Sequence, residues 1–171
     1  SVFALAVPAA ADPVEDFYKG KTITIIIGYP TPSAYDNYAR LIGKHLPKHV
    51  PGHPNVIAQN MPGAGSMTAS NHVYNVAPQD GTVFGIMSPA NSFAPLLGID
   101  SAKFDAMKFN WLGSPTTETA VIAVINTAPV NSIEDAKKTE VLLGSASING
   151  TSSFYARVDR KSTRLNSSHV S

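Results

Sequence analysis

The segment Lys21-Thr22-Ile23-Thr24-Ile25-Ile26-Ile27 is a nearly continuous β-branched run. A run of this kind fits a strand covered on both faces, as in a parallel sheet flanked by helices. A turn-rich loop, Gly28-Tyr29-Pro30-Thr31-Pro32-Ser33, follows it. The apolar period then becomes helical, with Tyr35, Tyr38, Ala39, Ile42 and Leu46 sharing one face. Ser33 is placed to cap this helix, and Asp36 completes a box-like start and can pair with Arg40. Pro47 and the cluster Pro51-Gly52-His53-Pro54 end the element.

The alternation continues along the chain. Asn55 to Gln59 reads as a second strand, Ser66 to Ala77 as a helix, and Thr82 to Ser88 as a third strand. Phe109 to Gly113, Ala120 to Ile125 and Glu140 to Gly144 read as a fourth, fifth and sixth. Ser132 is placed to cap a short helix with Asp135 in the reciprocal position. Strands alternating with helices predict an α/β architecture with a mostly parallel sheet and flanking helices.

Composition narrows the class. With 43% hydrophobic and 15% charged residues, the chain is neither disordered nor membrane-embedded throughout. The net charge of +1 is uneven, residues 159–171 carrying +2 and the remainder −1, and no basic patch interleaved with aromatics appears, which argues against nucleic acid as a partner. The absence of cysteine excludes disulfides, thiolate metal sites and thiol nucleophiles. Residues 1–11, SVFALAVPAAA, read as the remnant of a secretory signal peptide, which places the mature protein in the periplasm; a native apolar arm is the alternative. Residues 159–171 are polar and patternless and read as a non-native tail, so the chain reads as truncated at both ends.

In a parallel α/β sheet, ligands sit outside the carboxyl ends of the strands. Four stretches fall there: Tyr29–Ala34, Asn60–Ser66, Ser88–Ser92 and Gly144–Ser152. None contains Lys, Arg, Asp, Glu or His. Backbone N–H groups, hydroxyls and helix N-termini bind a carboxylate without a counter-charge, although polar loops also arise from ordinary turn chemistry. Gly63 to Thr68 approximates a dinucleotide fingerprint, but Thr68 replaces the third glycine and no acid ends the next strand. A nucleotide-binding α/β enzyme built on this loop is the rival reading. Gly144 to Ser152 departs from a phosphate loop, having five residues between its glycines and no lysine. His45 and His49 can share a helix face beside Lys44 and Lys48, which suits a solvated helix end better than a metal. Carboxylate pairs do not converge and no Gly-x-Ser-x-Gly elbow exists, so neither catalysis nor a cofactor is expected.

Several blocks together resemble one family, the Bug-type periplasmic receptors of tripartite tricarboxylate transporters. They are Ile25 to Tyr29 with Tyr35 to Leu41, Gln59-Asn60-Met61-Pro62-Gly63-Ala64-Gly65-Ser66, Ala77 to Val83, and Gly144-Ser145-Ala146 with Asn149 to Ser153. The resemblance covers about residues 17 to 157. It implies a type II periplasmic-binding fold of two lobes, with residues 12–118 as a nearly complete first lobe and 119–158 as the start of a truncated second. It implies a monomer that captures a small organic acid for the membrane subunits of a transporter. By matching motif, the ligand contacts would be Tyr29, Thr31, Ser33 and Asp36, then Pro62, Gly63, Ala64, Gly65 and Ser66. Ser88 and Asn91 belong to the third loop. Ser145, Ala146, Asn149, Gly150, Thr151 and Ser152 would face them from the second lobe. The family's glycine run before the Tyr-Asp pair is replaced here by Thr31-Pro32-Ser33-Ala34, and proline removes a backbone donor. With half of the cleft missing, this chain alone is expected to bind ligand poorly or not at all.

Overall fold

The computed structural model describes residues 12–117, 119, 121–145 and 150–156. Three parallel strands form an open sheet: β1 (Thr22–Ile27) lies at its centre, β2 (Asn55–Asn60) on one side and β3 (Val83–Ile86) on the other. Ile27 stands opposite both Asn60 and Ile86, so all three strands end at one level. Helix α1 (Pro13–Tyr18) precedes the sheet, α2 (Ala34–His45) joins β1 to β2, and α3 (Met67–Asn75) joins β2 to β3.

The crossover from β1 to β2 and the crossover from β2 to β3 run in opposite directions across the sheet, and right-handed connections then put their helices on opposite faces. The packing agrees. Ile25 and Ile27 are fully buried beneath Ala39 and Ile42 of α2, with Tyr29, Tyr35, Val56 and Phe84 around them. Side chains alternate along a strand, so Ile26 turns the other way, beside its pair-mate Gly85. A methyl group added to Gly85 would meet Val73 of α3 at 3.2 Å, which places α3 on that second face. The β1 run is therefore buried on both faces, as its lack of alternation predicts, with Ile23 and Ile26 also enclosed.

The edge strand β2 differs. Its residues alternate between exposed and half-buried, and Ile57 is exposed, because α2 covers only one of its faces. Beyond β3, a second cluster of Met67, Ala94 and Phe104 gathers Tyr74 and Phe109. Phe109 meets Tyr74 and Phe104 edge-on, each with ring centroids 5.4 Å apart.

The α/β class and the parallel sheet with flanking helices are as expected; the later strands are not. Phe109 to Gly113 runs outside any sheet, because Phe109 packs into the aromatic cluster and Trp111 donates through Nε1 to Ala106 O at 3.0 Å. Residues 121–125 are equally without strand structure. Val121, Ile122 and Ile125 lie exposed, and a strand without a hydrogen-bonded neighbour has no ladder to hold it. Of Glu140 to Gly144, Leu143 alone makes a bridge. The short helix α4 (Ile133–Ala136) forms as expected, with the Asp135 N–H donating to Ser132 Oγ at 3.1 Å. A further helix, α5, covers residues 151–156. Among the described residues no helix is long and apolar enough to cross a membrane.

Candidate functional site

Because the strands end together, the loops after β1, β2 and β3 meet at one edge of the sheet. The first loop is held from beneath by a polar network. Ser33 caps α2, its Oγ accepting the Asp36 N–H at 3.1 Å. The buried Asp36 carboxylate forms an ion pair with Arg40, whose Nη2 lies 2.9 Å away, and accepts from Asn60 Nδ2 at 2.8 Å. It also accepts from Arg40 Nε at 3.1 Å to both oxygens. Asn60, the last residue of β2, gives a second amide hydrogen bond to Tyr29 O at 2.9 Å and accepts from Arg40 Nη2 at 3.0 Å. One carboxylate and one amide thereby tie the end of β2 and the start of α2 to the β1 loop. Hydrogen bonds from Arg40, then from Asn60, hold the Asp36 carboxyl below the usual carboxylate range, and the Thr31 hydroxyl adds to this. Above the network, the Tyr29 and Tyr35 rings stack at 4.1 Å with planes 9° apart.

The second loop is bent into an unusual backbone. Gly63 has φ 145°, and Ala64, Gly65 and Ser66 follow with φ of 47°, 66° and 71°. Left-handed backbone at a non-glycine residue costs on the order of 1–3 kcal/mol, and it persists only where surrounding contacts hold it. Here the holding contact is the Ser66 side chain. Its hydroxyl turns away from the start of α3 and into the protein, where it accepts the Ser88 N–H at 2.9 Å. Asn91 Nδ2 donates to the same oxygen at 3.3 Å and to Ser70 Oγ at 2.7 Å. Ser70 Oγ in turn donates to Ser66 O at 3.1 Å. Ser66, Ser70, Ser88 and Asn91 form one buried polar cluster joining the second loop to the third. Gly28 allows this: a Cβ there would overlap the Ser66 side chain and stand 3.1 Å from its Cα.

The start of α3 is partly closed on itself. The Thr68 N–H points to Gly63 O at 3.5 Å and the Met67 N–H bonds to Ala64 O. The outward-facing parts of this loop are Pro62, Gly63 and Ala64, all exposed.

The fourth stretch reaches the same edge through α5 rather than through a strand. Ser88 Oγ and Thr151 Oγ1 are 2.8 Å apart, and the Phe93 and Phe154 rings stack at 5.4 Å. Gly150 is half-buried and Ser152 exposed, while Ser145 Oγ lies 2.5 Å from Ser153 Oγ. Ala146 and Asn149 lie outside the described residues.

The structure thus brings described residues from all four stretches together, but in two roles. Tyr29, Thr31, Pro62, Gly63, Ala64 and Ser152 remain at least partly exposed at the edge. Asp36, Ser66, Ser88 and Asn91 are buried in the framework that shapes it. Arg40, Asn60 and Ser70 belong to that framework and were not among the expected contacts. Ser70 has a legible signal, a polar residue one turn beyond Ser66 where α3 faces the core. Asn60 has none, since nothing in the sequence tells which way a strand-end amide turns.

A cavity of about 200 Å³ lies elsewhere, between residues 122–124, α4 and the segment around Val141 and Leu143. Its walls are mainly aliphatic, including Ile122, Val124, Val130 and Ile133, and it has no ionisable lining residue. It carries no chemistry related to the sheet edge. Comparisons of the chain with protein-family models, with curated proteins and with solved structures found no match.

Proposed function

We propose that the protein is an extracytoplasmic solute-binding receptor, which captures a small carboxylate-bearing solute for a tripartite tricarboxylate-type transporter. The observation that carries this reading is the meeting of uncharged loops at the carboxyl edge of the sheet, drawn together by the Ser66–Ser88–Asn91 cluster. Such an edge offers peptide N–H groups and hydroxyls to an anion. The ionic groups beside it, Asp36 and Arg40, are paired with each other. The framework is consistent with the first lobe of a type II periplasmic-binding fold, α5 then belonging to the beginning of the opposing lobe. In this reading the protein acts as a monomer, carries no cofactor, catalyses nothing and passes its cargo to membrane subunits.

The test is a thermal-shift panel on this chain, with mono-, di- and tricarboxylates at millimolar concentration set against dinucleotides and nucleoside triphosphates. A rise in melting temperature with a subset of the acids is the expected result. Stabilisation specific to nucleotides would overturn the reading.

A further inference from the structure

Asn91 sits in the turn Pro89–Phe93, nearly fully enclosed, with its amide nitrogen held by Ser70 and Ser66. Its carboxamide oxygen is buried and meets no hydrogen-bond donor. A buried amide atom without a partner is costly, and native interiors rarely leave one so. Its neighbours are otherwise engaged: Ser66 Oγ receives the Ser88 N–H, and Ser70 Oγ donates to Ser66 O. Turning the carboxamide end for end would put its NH2 at the same position instead. A hydroxyl oxygen both donates and accepts, so it is the group that answers either setting.

Helix α5 overlies the turn at its two ends, through the Ser88–Thr151 hydroxyl pair and the Phe93–Phe154 ring stack. Phe93 remains exposed, so the contact encloses it only in part.

We propose that Asn91 is a specificity-determining residue: once α5 shifts off the turn, its unpaired amide atom takes a hydroxyl of the bound acid, and a hydroxy acid is preferred over its deoxy analogue. The inference rests on the carboxylate-receptor reading above. A water molecule offers the same hydroxyl chemistry, and the comparison of two acids separates the sources.

Isothermal titration calorimetry of this chain with malate and with succinate is the test, since the two differ only by a hydroxyl. A dissociation constant about tenfold or more lower for malate is the expected result, because a buried group aimed at a hydroxyl is left unpaired by the analogue without it. In Asn91→Leu the ratio should fall to about one. Equal binding of the two acids by the unmodified chain means that water fills the position, and overturns this inference alone. Binding of neither acid overturns it together with the receptor reading. A preference that survives in Asn91→Leu overturns it as well. Should Asn91→Leu fail to fold, Ser70→Ala removes the amide's 2.7 Å partner and should lower the ratio, and an unchanged ratio there counts against the proposal.

Discussion

Gly28 and Ser66 share a space that holds only one side chain. The Ser66 hydroxyl lies where a Cβ on Gly28 would stand, and it reaches past β1 to the Ser88 N–H on the far side. Gly28→Ala should therefore destabilise the protein by about 1–3 kcal/mol, the usual range for overpacking a tight interior. Urea titration gives the value. In the Gly28→Ala/Ser66→Gly double variant, much of that loss should return, because the clash goes and the left-handed backbone at 66 relaxes. Strict additivity of the two changes would refute a direct contact.

Asn60 ties the first loop to the end of β2. Asn60→Ala removes its bonds to Tyr29 O and to Asp36 and should cost about 1–3 kcal/mol, the penalty for stranding partly buried polar groups. Amide exchange should quicken around Tyr29 and at the start of α2, while the amides of β3 keep their protection. Uniform quickening across the sheet would mean that Asn60 is not a local tie.

Acid should loosen the fold through Asp36, Asp80 and Asp135. Arg40 holds the first carboxyl below its usual range, the Thr82 hydroxyl the second and the Ser132 hydroxyl the third. A carboxylate whose pKa is lower folded than unfolded stabilises the protein above its unfolded pKa, about 3.9, and this is lost as pH falls through the folded value. The melting temperature should thus be level from neutrality to about pH 5 and decline below about pH 4. Asp36→Asn should lower it at pH 7 and shrink the acid-induced decline. A decline of undiminished size in that variant would move the effect elsewhere.

Burial separates two isoleucines on neighbouring strands. Ile25 is 0% exposed and Ile57 is 47% exposed. Ile25→Ala should cost about 2–5 kcal/mol, the range for emptying a packed site. Ile57→Ala should cost less than about 1 kcal/mol, as its face of β2 is uncovered. Similar losses for both would show that something covers β2 in solution.

The first three strands were legible because each signal was local and unopposed. The unbroken β-branched run of Ile23 to Ile27 announces burial on both faces, and Ser33 with Asp36 announces a helix start. For the expected strand Ala120 to Ile125, the same reasoning failed over the described residues 121–125. The composition is that of a strand, but a strand exists only by pairing, and whether a neighbour is present cannot be read from six residues. The candidate site was legible as a set of loops and illegible as a set of roles. Ser66 reads as a helix start and ligand contact, yet its backbone enters the left-handed region and carries the hydroxyl inward, an outcome decided by Ser88, Asn91 and Gly28 far along the chain.

The closed pairing of Asp36 with Arg40 has a kinetic side. A charged cleft gathers oppositely charged solutes from beyond contact distance, and salt blunts that attraction. Here the two ionic groups at the sheet edge cancel within 2.9 Å of each other, and the loops above them bear no formal charge. An acid approaching this edge meets no long-range pull. Its encounter is set by unaided diffusion, and its rate of capture should stay nearly level from dilute buffer to brine.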